Sequence, residues 1–185
     1  MAKKWSPSHR VWHWCNALVV FTLILTGLFI KIGNPVEDYF KKPHILVGLT
    51  LCVLVPFRMI RARFFGDRHT LDDAQKLRTQ AISLFKQKKG SLTRADFKLF
   101  HKASVKNGYL GLYALLAGIA LTGLAMIIMH QMGISKEIRH NVKEVHEALF
   151  VLIAVFIPLH LGGVVYAEIT DEPNIISDMI HGGKK

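Results

Sequence analysis

What is scarce in these 185 residues narrows the possibilities more than what is abundant. There are only two cysteines, Cys15 and Cys52, and neither belongs to a C-x-x-C or C-x-x-C-H arrangement. Both lie inside apolar runs, which argues against a disulfide, and no site exists for thioether attachment of a cofactor. Acidic residues number 13 against 24 Lys and Arg. Charge of either sign is missing altogether from Val11 to Ile30, Pro43 to Phe57, Asn107 to Ser135 and Ala148 to Ala167, runs of 20, 15, 29 and 20 residues. Crossing a hydrocarbon core takes about 20 predominantly apolar residues, so an ordinary soluble domain is excluded. The second run is short, but it continues through Met59 and Ile60 when Arg58 snorkels its guanidinium into the headgroups. The expected fold is all-α, an integral membrane four-helix bundle with spans at about 9–31, 43–62, 105–131 and 144–168, so that 1–185 forms a single membrane domain. No cleavable signal peptide is expected, because the first run is as long as a span and no small-residue cleavage site follows it.

The basic residues are unevenly placed. Thirteen of the 24 fall between Arg58 and Lys106, three precede the first span and two end the chain; only Lys31, Lys41, Lys42, Lys136, Arg139 and Lys143 remain for the other side. The positive-inside rule then predicts both termini and the long middle loop in the cytoplasm, with two short loops outside. A net charge of +11 would suit nucleic acid, but basic residues gathered beside spans are accounted for by topology and anionic lipid. No nucleic-acid partner is expected.

Local signals punctuate the chain. Ser6-Pro7-Ser8 reads as a helix start and Gly33-Asn34-Pro35 as a break on the far side. In the middle loop Thr70 and Asp73 resemble a capping box, followed at helical spacing by Leu71, Ala74, Leu77, Ala81 and Phe85. With Lys76, Arg78, Lys86, Lys88 and Lys89 alongside, this reads as a short amphipathic helix on the cytoplasmic leaflet, a solvated connector being the alternative. Thr93 and Asp96 mark a second start that leads into the third span. No internal repeat stands out.

Histidine is abundant, with ten residues, and several lie at membrane depth: His9 and His13 open the first span, His44 opens the second, and His146 and His160 share the fourth. Ionisable groups there are costly and face a cofactor, a partner or a cavity. His146 and His160 are fourteen residues apart, so at 3.6 residues per turn they project from nearly one face, about 21 Å apart along the axis. One helix thus offers an imidazole near each side of the bilayer, an arrangement suited to two stacked haems that each take a second axial imidazole from another helix. Antiparallel topology pairs His146 with His44 on the outer side and His160 with His13 on the inner side. His13 fits better than His9, being one turn deeper, although counted from the chain's charged exits it lies shallower than His160. Gly48, one turn after His44, leaves room for a flat macrocycle against the backbone; small residues also pack spans against one another.

Trp12-His13-Trp14-Cys15-Asn16-Ala17-Leu18, followed by Leu25-Thr26-Gly27, resembles the first-span motif of the prokaryotic cytochrome b561 family, in particular b-type cytochrome subunits of membrane-bound nickel–iron hydrogenases and formate dehydrogenases. His44 with Gly48, Arg58, the His146 and His160 pair, and Asp178-Met179-Ile180-His181-Gly182-Gly183 are similar as well. The resemblance implies a multi-pass protein of the bacterial inner membrane, serving a respiratory chain. It implies two non-covalent haems b, one held by His13 and His160 and the other by His44 and His146. It also implies menaquinone or ubiquinone as a redox substrate and a partner redox subunit of hydrogenase, dehydrogenase or cytochrome c type. Arg58 and Arg61 would pair with haem propionates or act as positive-inside anchors. His9, His101 and His130 have no counterpart; His130 would be a quinone or propionate contact, or a structural residue at the interface.

Three functions follow from these features. The first is an electron-transfer subunit, favoured because 185 residues leave almost no extramembrane domain for substrate chemistry, which then belongs to a partner. The second is a stand-alone quinol oxidase that reduces oxygen or superoxide; the third is a haem-free anchor or a transporter whose histidines relay protons. The charge distribution yields a direct test: a cytoplasmic reporter fused at Lys185 should be active, and a periplasmic reporter in the segment from Gly33 to Lys41 should be active too. Periplasmic activity at Lys185 would refute the orientation.

Overall fold

A polypeptide with so few places for backbone polar groups to find water must satisfy them internally, and helices do this within one segment. The computed structural model describes residues 6–33, 35–64, 68–87, 93–170 and 173–182. It consists of α1 (Pro7–Ile32), α2 (Glu37–Phe64), α3 (Arg68–Gln87), α4 (Arg94–Gln131), α5 (Lys136–Thr170) and α6 (Ile175–His181), with no strand among the described residues. Four of them, α1, α2, α4 and α5, are long and apolar enough to cross a membrane. Their outward surface is the reverse of a soluble protein's: Leu18, Leu46, Val53, Leu121 and Leu159 are each about two-thirds exposed, as lipid-facing side chains should be.

The helix starts follow the local sequence. Ser6 caps α1, its hydroxyl accepting from the His9 backbone N–H at 3.2 Å with Pro7 in the first turn. Thr93 and Asp96 form a reciprocal capping box at the head of α4. That helix then runs unbroken for 38 residues, about 57 Å at 1.5 Å per residue, so its first turns project beyond a core of about 30 Å. α3 docks on this projection: Ala81 and Ala103 are buried in the shared groove, and Phe85 meets Phe100 edge to face at 6.4 Å. α3 begins at Arg68, so Thr70 lies within its first turn rather than capping it; the side chains of Thr70 and Asp73 are outside the described residues.

The spans form two hairpins. α1 packs on α2 and α4 packs on α5, while the hairpins join through a seam between α2 and α4; α1 and α5 make only sparse contact. Leu51 and Val55 of α2, Leu116 of α4 and Ile153 of α5 interlock in that seam and are almost completely buried. Cys52 donates to the Ala120 carbonyl at 3.6 Å across it.

The chain's C-terminal segment returns to the start of α1. The Glu168 carboxylate accepts from the backbone N–H groups of Asn174 and Ile176 at 2.8 and 2.9 Å, doing for α6 what Asn174, in a left-handed conformation, does not. Trp14 Nε1 in turn donates to the Met179 carbonyl at 3.2 Å. Gly182 ends α6 at φ 75°, against the guanidinium of Arg10, leaving no room for a side chain there.

Truncating the seam should cost more than truncating the lipid face. Lipid is as apolar as leucine, so the loss is mainly packing, and Leu51→Ala should destabilise by about 2 kcal/mol, the low end of the core-cavity range. Leu18→Ala should be close to neutral. Unfolding by heat or by SDS titration in mild detergent reads both, and equal effects would show that the seam does not hold the hairpins together.

Candidate functional site

Helical periodicity carries the histidines into the space between the hairpins. His146, Ile153 and His160 recur every seven residues along α5, two near-complete turns each, so one face carries an imidazole, an apolar plug and a second imidazole. His44, Leu51 and Arg58 repeat the same spacing on α2. The buried seam of Leu51 and Ile153 therefore sits about 10 Å from an imidazole on either side of it along α5, separating two sites.

At the end where the described chain starts and finishes, His13 of α1 faces His160 of α5 with ring centres 6.4 Å apart and planes inclined by 49°. At the end of the short connections, His44 of α2 faces His146 of α5, also at 6.4 Å, with planes at 76°. Each pair takes one ring from each hairpin. Counting from the charged exits makes His13 too shallow for His160, yet the two ring centres lie 6.4 Å apart. α6 folds back beneath the first turns of α1, through the bond from Trp14 to the Met179 carbonyl, and the two rings meet.

The surroundings of the pairs differ in kind. His160 is stacked by Phe156, one turn earlier on α5, at 6.1 Å, and edged by Tyr109 of α4 at 6.2 Å; Trp14 stands edge-on to His13 at 5.5 Å. Aromatic and apolar groups thus enclose this pair, and neither ring has a hydrogen bond among the described residues. The second pair is held by hydroxyls: Thr26 Oγ1 lies 2.8 Å from His44 Nδ1, and Thr122 Oγ1 lies 2.9 Å from His146 Nδ1. Each threonine is followed by a glycine on which its imidazole rests. A Cβ on Gly27 would come within 3.4 Å of His44 Cε1, and one on Gly123 within 3.3 Å of His146 Cε1.

The remaining expected residues are more scattered. Gly48 faces Leu23 of α1, the nearest atom to a Cβ built there at 3.9 Å, so it brings the first hairpin's helices close. Arg58 donates from Nε to the Tyr113 hydroxyl at 3.3 Å, reaching from α2 to α4. The Arg61 side chain lies outside the described residues. His130 accepts from Arg139 at 3.0 Å where α4 gives way to α5. His101 lies against Tyr166 at 5.0 Å, its Nε2 buried and without a hydrogen bond among the described residues. The His9 backbone N–H serves the α1 cap. Thr122, Tyr109 and Phe156 were not singled out by the sequence. One signal was available, since Leu25-Thr26-Gly27-Leu28 recurs as Leu121-Thr122-Gly123-Leu124.

The donor set limits what can bind. Among the described residues no group of three or more His, Cys, Asp and Glu gathers around a common point, so a bare metal ion lacks the four ligands that a closed protein site supplies. Two opposed imidazoles suit a metal that brings its own equatorial donors, as a porphyrin iron does. Imidazole nitrogens each about 2 Å from a shared metal place their ring centres roughly 6 Å apart, and both pairs stand at 6.4 Å. The residues therefore fit a flat, six-coordinate group.

Comparison with known proteins agrees with this chemistry. The family model described as prokaryotic cytochrome b561 matches residues 4–182. A probable Ni/Fe-hydrogenase B-type cytochrome subunit of Rhodobacter capsulatus is 35% identical over 71 residues, 32% of this chain and 27% of that relative, so the match spans under a third of the relative's length. No solved structure matches the chain. With four helices long and apolar enough to span a membrane, paired imidazoles between them and a family match over nearly its whole length, this chain belongs to the prokaryotic cytochrome b561 family and is a multi-pass membrane protein.

Proposed function

We propose that this protein is a di-haem b electron-transfer subunit linking a partner redox protein to the quinone pool. The observation that carries the reading is the pair of imidazole pairs, each with one ring from each hairpin, the same 6.4 Å apart and, among the described residues, without a third protein donor. His13 and His160 would hold one haem and His44 and His146 the other. Haem b, when bound, supplies a one-electron Fe(III)/Fe(II) couple.

The chain's own residues do the rest. Leu51, Val55, Leu116 and Ile153 exclude water and lipid between the two sites, and the helices set their separation at about 21 Å along α5. Arg58, and Arg61 on the same helix, are the cations proposed to neutralise propionates at the end that carries the termini. With the positive-inside orientation, that end is cytoplasmic and the His44 and His146 site lies toward the outer face. The protein is then a resident of the bacterial inner membrane.

The partner is proposed to be the subunit where substrate is transformed, because the described segments outside the spans, α3 and α6, are helices of 20 and 7 residues. The Rhodobacter capsulatus relative is named for a nickel–iron hydrogenase, which favours a hydrogenase or a similar dehydrogenase as the electron donor or acceptor. Purification in mild detergent should therefore recover a second redox subunit. Recovery of this chain alone, fully active with quinol and oxygen, would favour a stand-alone quinol oxidase.

Pyridine haemochrome analysis should give two haems per chain. His160→Ala and His13→Ala should each remove the same haem, identified by its midpoint potential, and leave the other in place, whereas His9→Ala should remove neither. Loss of haems with different potentials in the His160 and His13 variants would disprove the pairing. One haem or none in the unaltered protein would disprove the di-haem reading itself.

A further inference from the structure

Hydrogen accounting at Thr26 and Thr122 leads beyond ligand assignment. Each hydroxyl has one hydrogen. Thr26 Oγ1 lies 2.8 Å from the Thr22 carbonyl and 3.2 Å from that of Leu23; Thr122 Oγ1 lies 2.9 Å from the Gly118 carbonyl and 3.0 Å from that of Ile119. Oxygens this close need a hydrogen between them, since two opposed lone pairs at that distance repel. The threonine hydrogen is therefore committed to its own helix, the usual back-bond of a mid-helix threonine in an apolar setting. What each Oγ1 has left is a lone pair, and it faces His44 Nδ1 at 2.8 Å and His146 Nδ1 at 2.9 Å. Both imidazoles must then carry their proton on Nδ1 and donate it to threonine, leaving Nε2 as the free electron pair.

We infer that Thr26 and Thr122 are paired positioning residues that lock His44 and His146 as the Nδ1-protonated tautomer and lower the midpoint potential of the haem held there; the second half rests on the function proposed above. A ring N–H donated to an acceptor fixes the orientation of a metal-binding imidazole and increases the basicity of its other nitrogen. A more basic axial nitrogen favours the ferric state, which lowers the potential. The arrangement is two-sided: α1 supplies Thr26 and Gly27 to the histidine of α2, and α4 supplies Thr122 and Gly123 to the histidine of α5. In both hairpins the threonine holds Nδ1 while the glycine leaves room for the Cε1 and Nδ1 edge of the ring to approach the neighbouring backbone. Among the described residues nothing equivalent bonds His13 or His160, whose neighbours are Trp14, Tyr109 and Phe156. The device therefore acts on one site of the two.

Redox titration of the purified full-length protein tests this with Thr26→Val, Thr122→Val, Thr26→Ser and Thr122→Ser. Valine keeps the shape and removes the hydroxyl; serine keeps the hydroxyl. Each valine variant should raise the midpoint potential of the haem that His44→Ala removes, or lose that haem, with the other haem unchanged, and each serine variant should behave as the unaltered protein. Valine variants without a shift, shifts at both haems alike, or serine variants as damaged as valine would overturn the inference while leaving two haems, and so the functional reading, intact. The tautomer is read separately from 15N-histidine NMR of the full-length chain prepared without haem. His44 and His146 should be protonated on Nδ1, and Thr26→Val and Thr122→Val should each release one ring into tautomeric exchange. Protonation on Nε2 in the unaltered chain would sink the inference whatever the haem content; fewer than two haems in the unaltered protein would sink the functional reading, and with it the effect on potential, while leaving the tautomer assignment standing.

Discussion

Four imidazoles held at apolar depth between two helical hairpins are the constraint on which the rest of this molecule depends. Hydrocarbon cannot hydrate a ring nitrogen, so each one has to be matched by a protein group or by a bound metal. The hairpins meet the demand from both sides. Within a hairpin, a neighbouring helix supplies threonine to Nδ1 at one site and sets Tyr109 against His160 at the other. Between hairpins, the rings face each other across a constant 6.4 Å. A haem bound in that space would tie together helices that otherwise meet mainly through the α2 and α4 seam, so cofactor and fold stabilise one another by linkage.

The apolar seam gives this arrangement its vertical order. Leu51 and Ile153 occur seven residues from His44 and from both α5 histidines, so the same helical period that aligns the rings also places an apolar layer between them. Two sites of one ligand type thereby acquire different environments. One is lined with hydrogen-bonding hydroxyls and the other with aromatic rings, and hydrogen bonds to the ligating rings and the local dielectric are the levers by which a protein separates the potentials of chemically identical groups.

Outside the bundle, charge and capping anchor the ends. The Glu168 carboxylate turns the chain into α6, and α6 covers the start of α1 through Trp14 and Arg10. At the opposite end Lys31 and Lys143 flank Glu147, one residue after His146, each at 3.4 Å. Such exposed pairs contribute little stability singly, but the bond from Lys31 joins α1 to α5 on the side where backbone contact is sparse. α3, with basic residues along an apolar face, is docked on α4 by Ala81 and Phe85 rather than left as a free connector.

Much of this was legible in the residues themselves. Absence of charge over about 20 residues at a time dictates spans because no alternative satisfies the backbone in lipid, and the fourteen-residue interval from His146 to His160 dictates a shared face because helix geometry is periodic. Ser6, Thr93 and Asp96 announced helix starts because capping is a local interaction. The meeting of His13 with His160 was harder to foresee, since the depth of a residue depends on where each helix leaves the membrane, and charges mark that only loosely. The roles of Thr26 and Thr122 were decided by tertiary structure alone. A threonine in a span bonds its own helix wherever it lies; which of them also faces an imidazole depends on the rotation and register of two packed helices, set by the summed fit of side chains far apart in the chain.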